Sequence, residues 1–242
     1  MTNPVFIVDS PFTAGQTIRL DGEEGRHAAT VKRIRVGEVI DIIDGQGNRG
    51  KCLVQAVGKD WLELNVGSVI QEPTTEPRIT AVQALAKGDR GDLALEMLTE
   101  VGVDVIVPWA AEHSVVKIDD SAKAHKKWQR TITEATKQSR RSWLPDLLSL
   151  HRTADVCELI KEHELALVLH ESAERTFADV EVSDVHDILL IIGPEGGISP
   201  TELNDFEQAG AIVVRMGSSV MRTSTAGAVA VGAILAQTNR WS

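Results

Sequence analysis

The arrangement of apolar and polar positions changes character about a third of the way along the chain. Up to residue 72, short segments alternate apolar and polar side chains, a pattern typical of strands that bury one face. These segments are Val39–Ile43, Lys51–Val57 and Trp61–Val66. A helix is predicted before them, because Ala28, Val31 and Ile34 would share one apolar face. The N-terminal part is therefore predicted to be a small β-rich domain.

A polar, proline-bracketed linker at residues 71–77 separates this part from a region in which strands and helices alternate. The strand candidates are Ile79–Ala86, Val103–Val107, Leu165–Leu169, Ile188–Ile192 and Ala211–Val214, and helices are predicted at Asp92–Val101 and Thr225–Gln237. Alternation of strand and helix indicates a mostly parallel sheet covered by helices. We therefore predict two domains, residues 1–72 and residues 73–242, the second of the α/β class.

The strand Ile188–Ile192 leads directly into Gly193–Gly197, a loop with the sequence Gly-Pro-Glu-Gly-Gly. Five uninterrupted apolar residues indicate a strand that is buried on both faces. A helix is predicted to begin after the loop, because Ser199 offers a capping hydroxyl, Pro200 suits the first helical position and Glu202 follows three after the cap. Ligands bind at this edge of open α/β sheets, so the loop is a candidate site. A tight turn that holds no ligand is the alternative.

A second loop of the same kind lies downstream, where the strand ending at Val214 runs into Met216–Thr223. Two glycine-bearing loops from one sheet can close over the same small molecule, with backbone groups contacting its polar edges. Neither the phosphate-binding motif G-x-x-x-x-G-K-[ST] nor the dinucleotide motif G-x-G-x-x-G is present in the sequence. These loops therefore favour an uncharged adenosine-like group over a phosphate.

Charge is distributed unevenly along the chain. The net charge of −10 argues against a protein that coats nucleic acid without specificity, but it permits a local basic face. Residues 121–141 carry seven Lys and Arg against one Glu. Those predicted to share one helical face are Lys123, Lys126, Lys127, Arg130, Lys137 and Arg141. A solvated face is the alternative, but the shortage of acidic neighbours at helical spacing favours a polyanionic partner.

A second basic cluster lies in the N-terminal part, within residues 26–35. Alone it is typical of a surface, whereas together with the helix at residues 121–141 it suggests two modules that hold one RNA. The predicted RNA-binding residues are Arg26, His27, Lys32, Arg33, Arg35, Lys126, Lys127, Arg130, Arg140 and Arg141. Trp143 either stacks on a base or fills a half-buried packing position.

Other chemistry is not indicated by the sequence. Cys52 and Cys157 are isolated from each other, and the seven histidines form no metal-binding signature, so we expect no metal. The N-terminal segment lacks the features of a signal peptide. The longest apolar stretch, Ala226–Ala236, is too short to span a bilayer. We therefore expect a cytoplasmic protein without a membrane segment.

With these features, the sequence resembles the bacterial 16S rRNA (uracil-N3)-methyltransferases, a branch of the SPOUT methyltransferases. The resemblance covers nearly the whole chain, and its most specific part is the Gly-Pro-Glu-Gly-Gly loop. The stretches that carry it are Gly193–Ser199 with Glu202, Met216–Thr223, Ala86–Arg90, Thr99–Val103, Glu134-Ala135 with Gln138–Arg141, and in the N-terminal part Arg26-His27, Val31–Arg33, Val36–Glu38 and Asp44-Gly45.

The resemblance implies a fold and a cofactor. The fold is α/β, with a C-terminal SPOUT trefoil-knot parallel-sheet domain and an N-terminal PUA-like β-barrel domain. The cofactor is S-adenosylmethionine, and the implied partners are 16S rRNA in the small ribosomal subunit and a second copy of the chain in a homodimer. The residues that would line the donor pocket are Leu169, His170, Ile192, Gly193, Pro194, Gly196, Gly197, Met216, Gly217, Ser218, Val220, Met221 and Thr223.

The implied reaction is methylation of N3 of a specific uridine in 16S rRNA. Loss of the N3 proton leaves an anionic base, for which Arg222 is the candidate stabilising group. Glu195 is the candidate general base, and a carboxylate that only orders its loop is the alternative. Ser224 departs from the family pattern, which usually has glutamate there.

Two other functions stay open. One is a knotted methyltransferase that modifies a different RNA position, such as a ribose 2′-hydroxyl. The other is a non-catalytic factor that binds RNA during ribosome assembly. A nucleotide-dependent oxidoreductase is the least favoured function, because the dinucleotide-binding motif G-x-G-x-x-G is missing.

Overall fold

The computed structural model describes residues 3–86, 88–114 and 121–241, which form two compact units. The first unit comprises the chain up to Thr74 together with Thr136–Leu144, and the second comprises Thr75–Ala135 and the chain from Pro145 onward. The β-rich N-terminal part and the α/β part that follows are both present. A domain boundary between residues 72 and 73 stays a prediction, and residues 136–144 are a later segment that returns to the first unit.

The first unit is built on one five-stranded sheet. Its elements are β1 (Val5–Ile7), β2 (Thr17–Leu20), α1 (Gly22–Arg26), β3 (Val39–Ile43), β4 (Asn48–Val57) and β5 (Leu62–Gln71). The strands lie in the order β1-β3-β4-β5-β2, and only the β1–β3 pair is parallel among the pairs of this sheet. Alternate side chains such as Ile40, Ile42, Leu62 and Leu64 are fully buried, as the sequence pattern predicts. The strands β1 and β2 were not predicted.

The helix predicted near residues 21–34 is shorter than expected. α1 ends at Arg26, and a π-helical turn, His27–Val31, follows it. The amide of Lys32 donates to the carbonyl oxygen of His27 at 2.9 Å, five residues back. A wider turn moves the following residues off the face that an α-helical spacing predicts. As a result Ala28 is buried, whereas Val31 is 65% exposed and was wrongly assigned to the apolar face.

Arg49 on β4 holds residues 136–144 against the sheet of the first unit. Its Nε donates to Glu72 Oε1 at 3.0 Å and to Ser142 Oγ at 3.1 Å, and its Nη1 donates to Asp41 Oδ2 at 3.3 Å. Its Nη2 donates to the carbonyl oxygen of Arg140. The guanidinium thus has several partners while its side chain is only 16% exposed. One partly buried cation therefore holds the sheet and residues 136–144 together.

Trp143, in the same segment, is partly buried and serves packing. Its indole Nε1 donates to the carbonyl oxygen of Glu72 at 3.1 Å. A Cβ added at Gly47 would lie 2.6 Å from the indole ring, so the β3–β4 turn lies directly against it. The packing role, rather than stacking on a base, accounts for this side chain.

The second unit is an α/β domain on a six-stranded sheet. Its elements are β6 (Arg78–Ala84), α2 (Asp89–Val101), β7 (Val105–Trp109), α3 (Ser121–Ser139, shared with the first unit), β8 (Asp146–Leu147), α4 (Thr153–Glu162), β9 (Leu165–Leu169), β10 (Asp187–Ile192), α5 (Pro200–Ala209), β11 (Ile212–Val214) and α6 (Thr223–Leu235). Within the described residues every strand pair of this sheet is parallel, in the order β11-β9-β10-β6-β7-β8, which confirms the predicted parallel sheet. The two-residue strand β8 was not predicted.

The strand order positions the loops. β10 lies between β9 and β6, and Ile188–Ile192 are almost completely inaccessible, as expected for a strand covered on both faces. Since β9, β10 and β11 are parallel neighbours, their carboxyl ends meet at one edge of the sheet. Within the described ranges, no helix combines the length and apolar character needed to cross a membrane.

Replacing Arg49 by methionine should lower the free energy of unfolding of the first unit by about 3 kcal/mol, because it leaves two carboxylates and a carbonyl oxygen without their donor. Chemical denaturation followed by tryptophan fluorescence measures the change. Arg78→Met is the control, since the Arg78–Asp146 pair is well exposed and should contribute less than about 1 kcal/mol. Equal effects of the two substitutions would contradict the conclusion that Arg49 holds residues 136–144 on the sheet of the first unit.

Candidate functional site

The loops that follow β9, β10 and β11 surround one cavity of about 520 Å³, together with the first turn of α6. This volume lies within the range of about 300–1,000 Å³ that is common for small-molecule sites. The predicted catalytic candidates, Arg222 and Glu195, both line it. So do all the residues predicted to bind the donor except Gly196. Two loops that are about 20 residues apart in sequence therefore form one site.

Gly196, the one exception among them, lies against a neighbouring loop, and its part in donor binding stays a prediction. A Cβ added at this position would be 2.9 Å from His113 Cβ and 3.0 Å from the His113 carbonyl oxygen. The lack of a side chain at Gly196 therefore permits a close contact between two loops. Its place in the structure is at this contact and outside the cavity lining.

The glycine loop takes a shape that other residues would not allow. A Cβ at Gly193 would lie 2.7 Å from Ile198 Cγ1, and Ile198 is itself only 6% exposed. Gly197 has a φ of +76°, in the left-handed region that glycine adopts at low cost. The loop consequently folds back on itself and turns its backbone toward the cavity.

A buried carboxylate fixes the helix that follows this loop. Glu202 is 4% exposed, and its Oε2 accepts from the amide of Ser199 at 3.1 Å, while Ser199 Oγ accepts from the Glu202 amide at 3.3 Å. This is the capping box predicted from the sequence. The other oxygen, Oε1, accepts from the Glu112 amide at 2.8 Å and from Thr153 Oγ1 at 2.9 Å. Glu202 thus ties three segments together beneath the site.

Thr223 connects the two cavity loops. Its hydroxyl donates to the carbonyl oxygen of Gly193 at 2.7 Å. The hydroxyl oxygen of Thr223, Oγ1, accepts in turn from Gln83 Nε2, on β6, at 2.9 Å. Thr223 is the first residue of α6, and Arg222 precedes it as the N-cap. The start of α6, and with it the backbone of Arg222, is therefore fixed relative to the glycine loop.

Among the residues that the structure describes, six members of the cavity wall were not predicted site residues: Arg90, Glu171, Ile198, Arg215, Ser219 and Ala226. Arg90 could have been predicted as a site residue, because it lies in the stretch Ala86–Arg90 that resembles the family. Its Nη1 lies 3.8 Å from Glu195 Oε1, with the Arg90 side chain 50% exposed and that of Glu195 24% exposed. The cavity thus contains acidic and basic side chains.

The predicted RNA-binding residues of the first unit are mostly accessible. Arg26, Lys32, Arg33 and Arg35 are exposed, and within the described ranges none of the four pairs with a carboxylate. His27 is partly buried, with its ring edge-on to Phe6 at a centroid distance of 6.2 Å. The four cations and the π-helical turn therefore form an accessible basic surface on this unit.

The predicted basic face of α3 divides into accessible and buried cations. Lys126 and Arg130 are exposed, and Lys127 Nζ donates to Asp92 Oδ2 at 2.7 Å. Lys137 was wrongly placed on this face, because its side chain is 8% exposed and its Nζ donates to Glu24 Oε1 at 2.5 Å.

The two arginines near the end of α3 differ in exposure. Arg140 is exposed and Arg141 is partly buried. Across the residues that the structure describes, no group of three His, Cys, Asp or Glu side chains is arranged to hold a metal ion.

Known proteins resemble this chain over its whole length. The family model for an RNA methyltransferase domain matches residues 74–235, and one for an RNA methyltransferase PUA domain matches residues 20–66. The ribosomal RNA small subunit methyltransferase E of Mycobacterium tuberculosis is 38% identical, with 100% of this chain and 94% of the relative covered. These matches, with the parallel sheet described above, confirm the predicted fold class.

Two solved structures are also similar. The ribosomal RNA small subunit methyltransferase E of Neisseria gonorrhoeae, bound to S-adenosylmethionine, has a TM-score of 0.89 at 26% identity, with both chains fully covered. A putative methyltransferase from Legionella pneumophila in complex with the same cofactor has a TM-score of 0.90 at 28% identity, covering 98% of this chain and 99% of that chain.

Replacing Glu202 by glutamine should loosen the site, because either orientation of the amide places an NH₂ group against backbone donors. Amide hydrogen exchange at residues 193–198 should accelerate by about tenfold, the equivalent of losing one buried hydrogen bond. Glu207→Gln, on the exposed side of the same helix, is the matched control. Unchanged exchange in the Glu202 variant would show that this carboxylate does not order the loop.

Proposed function

Because the chain belongs to the RNA methyltransferase family, we propose that it transfers a methyl group from S-adenosylmethionine to N3 of a uridine in 16S rRNA of the small ribosomal subunit. The observation that carries the proposal is the single cavity in which two glycine-bearing loops meet both Arg222 and Glu195. The loops suit a donor that is held by backbone groups, and the arginine suits a base that becomes negatively charged.

The residues of the cavity fit the donor. S-adenosylmethionine carries positive charge on sulfur and on its amine, and negative charge on its carboxylate. The cavity offers side chains of both signs, which are Glu171, Glu195, Arg90, Arg215 and Arg222. Gly193, Gly197 and Gly217 also line the cavity, so backbone groups border the space that the donor would fill.

The predicted donor-binding residues divide into two kinds. Leu169, Ile192 and Met216 supply apolar surface, on which an adenine ring and the methionine carbons would lie. Gly193 and Gly197 let the loop fold back, so that its backbone borders the cavity. We propose that both loops together hold the donor, since Thr223 ties one to the other.

When bound, the donor supplies an electrophilic methyl group on a sulfonium. The protein's task is then to hold the base so that N3 lies in line with that carbon. N3 of uracil carries a proton and becomes a nucleophile when the proton leaves, which puts negative charge on the base. Arg222, fixed at the N-cap of α6, would place its guanidinium against that charge.

We assign Glu195 to orientation of the site rather than to proton transfer. Its carboxylate lies 3.8 Å from the Arg90 guanidinium, which also lines the cavity. A carboxylate in this place positions a second cation near the reacting base. The pairing supports the loop-ordering alternative that the sequence left open for Glu195.

RNA would be held by the basic surfaces of both units. The exposed cations of residues 26–35 lie on the first unit, and Lys126 and Arg130 lie on the second. Phosphate contacts give affinity and orientation, while the base that enters the cavity determines the modified atom. If the target base is paired or stacked, it must be extruded from the RNA to react.

We also propose that the protein acts as a homodimer, as the resemblance implies. Leu93 on α2 and Val229 on α6 are 44% and 41% exposed, and these two helices pack against each other. Apolar side chains exposed on adjacent helices support a second copy as the partner of this face. A substrate in the small ribosomal subunit would place the reaction in the cytoplasm.

Arg222→Ala should reduce turnover by about 100-fold or more while leaving the affinity for S-adenosylmethionine within about threefold, because the guanidinium acts on the anionic base. Transfer of labelled methyl to small subunits measures turnover, and calorimetry measures donor binding. Arg222→Lys should keep part of the activity, and Arg78→Ala, at the exposed start of β6, should keep all of it. Full activity of Arg222→Ala would remove this residue from the mechanism.

Mass mapping of the product RNA identifies the atom that receives the methyl group. A methyl group on N3 of uridine is the expected result, whereas one on a ribose 2′-hydroxyl would replace the proposed target. Absence of donor binding in the wild-type chain would favour the non-catalytic assembly factor instead.

RNA binding should weaken steeply with salt, because cations of the protein replace counterions on the phosphates. Substituting both Lys126 and Arg130 by alanine should lower the slope of log affinity against log salt by about 2, one for each phosphate contact. Lys161→Ala is the control, since Lys161 pairs with Glu158 on α4. Equal slopes for the double variant and the wild type would exclude this face of α3 from the RNA interface.

A further inference from the structure

Gln83 is a buried polar residue beside the methyl-donor cavity, and it was not among the predicted site residues. It lies on β6, the strand next to β10, and the register pairs it with Ile192, the last residue before the glycine loop. The residue is only 5% exposed and does not belong to the cavity lining. Gln83 thus stands directly behind the point where the glycine loop leaves the sheet.

The neighbours of Gln83 fix the orientation of its amide. Nε2 donates to the carbonyl oxygen of Ala84 at 3.1 Å and to Thr223 Oγ1 at 2.9 Å. A flipped amide would place Oε1 against the Ala84 carbonyl oxygen, and neither of these two oxygens has a proton to share. The amide nitrogen is therefore held toward Thr223.

This orientation leaves the amide oxygen of Gln83 without a partner. Oε1 is buried, and no hydrogen-bond donor among the described residues reaches it. Buried acceptors are normally paired, and an unpaired one costs free energy. An apolar side chain of similar length would avoid that cost, so packing alone does not explain a glutamine at this position. The two hydrogen bonds given by Nε2 do.

The Gln83 amide sets the direction of the Thr223 hydroxyl. A hydroxyl has a single proton, and its oxygen can accept from other groups. Because Thr223 Oγ1 accepts from Gln83, its proton points elsewhere, to the carbonyl oxygen of Gly193 at 2.7 Å. Each bond in such a series polarises the next and strengthens it. The hydrogen bonds therefore run in one direction, from β6 through the start of α6 to the glycine loop.

We propose that Gln83 is a positioning residue for methyl transfer, an inference that rests on the proposed function. By donating to Thr223, Gln83 keeps the Gly193 carbonyl oxygen bonded and holds the glycine loop in the shape that would bind the donor. Since Gln83 does not line the cavity, it acts on the donor through Thr223 and Gly193 and not by contact.

Gln83→Met keeps the length of the side chain and removes both N–H donors. The dissociation constant for S-adenosylmethionine, measured by calorimetry, should rise by about tenfold, because the donor must then order a loosened loop. The KM for small subunits, purified from cells that lack this gene, should stay within about threefold of the wild type, because the cations proposed to hold RNA are untouched. An unchanged dissociation constant for the donor would overturn the proposal.

Thr80→Val is the matched control on the same strand. Thr80 is 3% exposed, and its Oγ1 lies 3.1 Å from His163 Nε2, so this substitution also removes a buried hydrogen bond. Thr80 lies toward the amino end of β6, away from the donor loops. The variant should be less stable to denaturant but should bind the donor as the wild type does. If it weakened donor binding as much as Gln83→Met, general loss of stability would explain both effects and positioning would be refuted.

A double-mutant cycle with Thr223→Val tests the route of the effect. Valine removes the hydroxyl, so Thr223→Val should itself weaken donor binding. Adding Gln83→Met to that variant should change the dissociation constant by less than about twofold, against about tenfold in the wild-type background. A tenfold effect in both backgrounds would show that Gln83 does not act through Thr223.

Amide hydrogen exchange in the donor-free protein gives a readout that does not depend on activity. Exchange at residues 195–199 should accelerate by about tenfold in Gln83→Met and keep the wild-type rate in Thr80→Val. Unchanged exchange in Gln83→Met would show that Gln83 does not hold the loop.

Failure of the proposed function is a different result. It would be seen as a lack of methyl transfer by the wild-type protein to any subunit RNA. A wild-type protein that methylates the RNA, together with a Gln83→Met variant of normal exchange and donor affinity, would keep the function and lose only the role of Gln83.

Discussion

The site depends on one close contact, in which Gly193 lies against Ile198 and its carbonyl oxygen accepts the Thr223 hydroxyl. A side chain at Gly193 would push Ile198 out of its buried position, and the loop could no longer fold back. The loop would then lose the carbonyl geometry that holds the start of α6. This contact positions both loops that border the cavity, and with them the backbone of Arg222. The absence of one side chain therefore determines where the charged groups of the site stand.

Charged groups with little solvent exposure, Arg49 in the first unit and Glu202 in the second, fix irregular segments that have no regular strand or helix hydrogen bonding. Arg49 bonds two carboxylates, a hydroxyl and a carbonyl, and Glu202 bonds two amides and a hydroxyl. Burying a charge is costly unless its hydrogen-bonding capacity is met, so each of these groups tolerates one arrangement of its neighbours. That requirement gives specificity to loops whose sequences alone would permit several shapes. The core strands bury apolar surface, whereas these two side chains select one arrangement of the segments around them.

The sequence was informative where local chemistry decides the structure. Period-2 alternation located β3, and the Ser199–Glu202 capping box located the start of α5, because both patterns act over a few residues. The parallel order then brought the loops of the cavity together. Lys137 was misjudged because its partner, Glu24, is 113 residues away, and no spacing within α3 reveals it. The contact of Gly196 with His113 could not be predicted for the same kind of reason, since His113 approaches it from a distant loop.

The net charge of −10 opposes non-specific binding to a polyanion such as RNA. In the function proposed above, the cations that would contact phosphates are the exposed residues Arg26, Lys32, Arg33 and Arg35 on the first unit and Lys126 and Arg130 on α3. RNA that does not engage these cations would meet a protein of net negative charge, so its binding would be weaker. The acidic remainder of the chain would thus contribute to selectivity by disfavouring contacts outside the proposed RNA-binding residues.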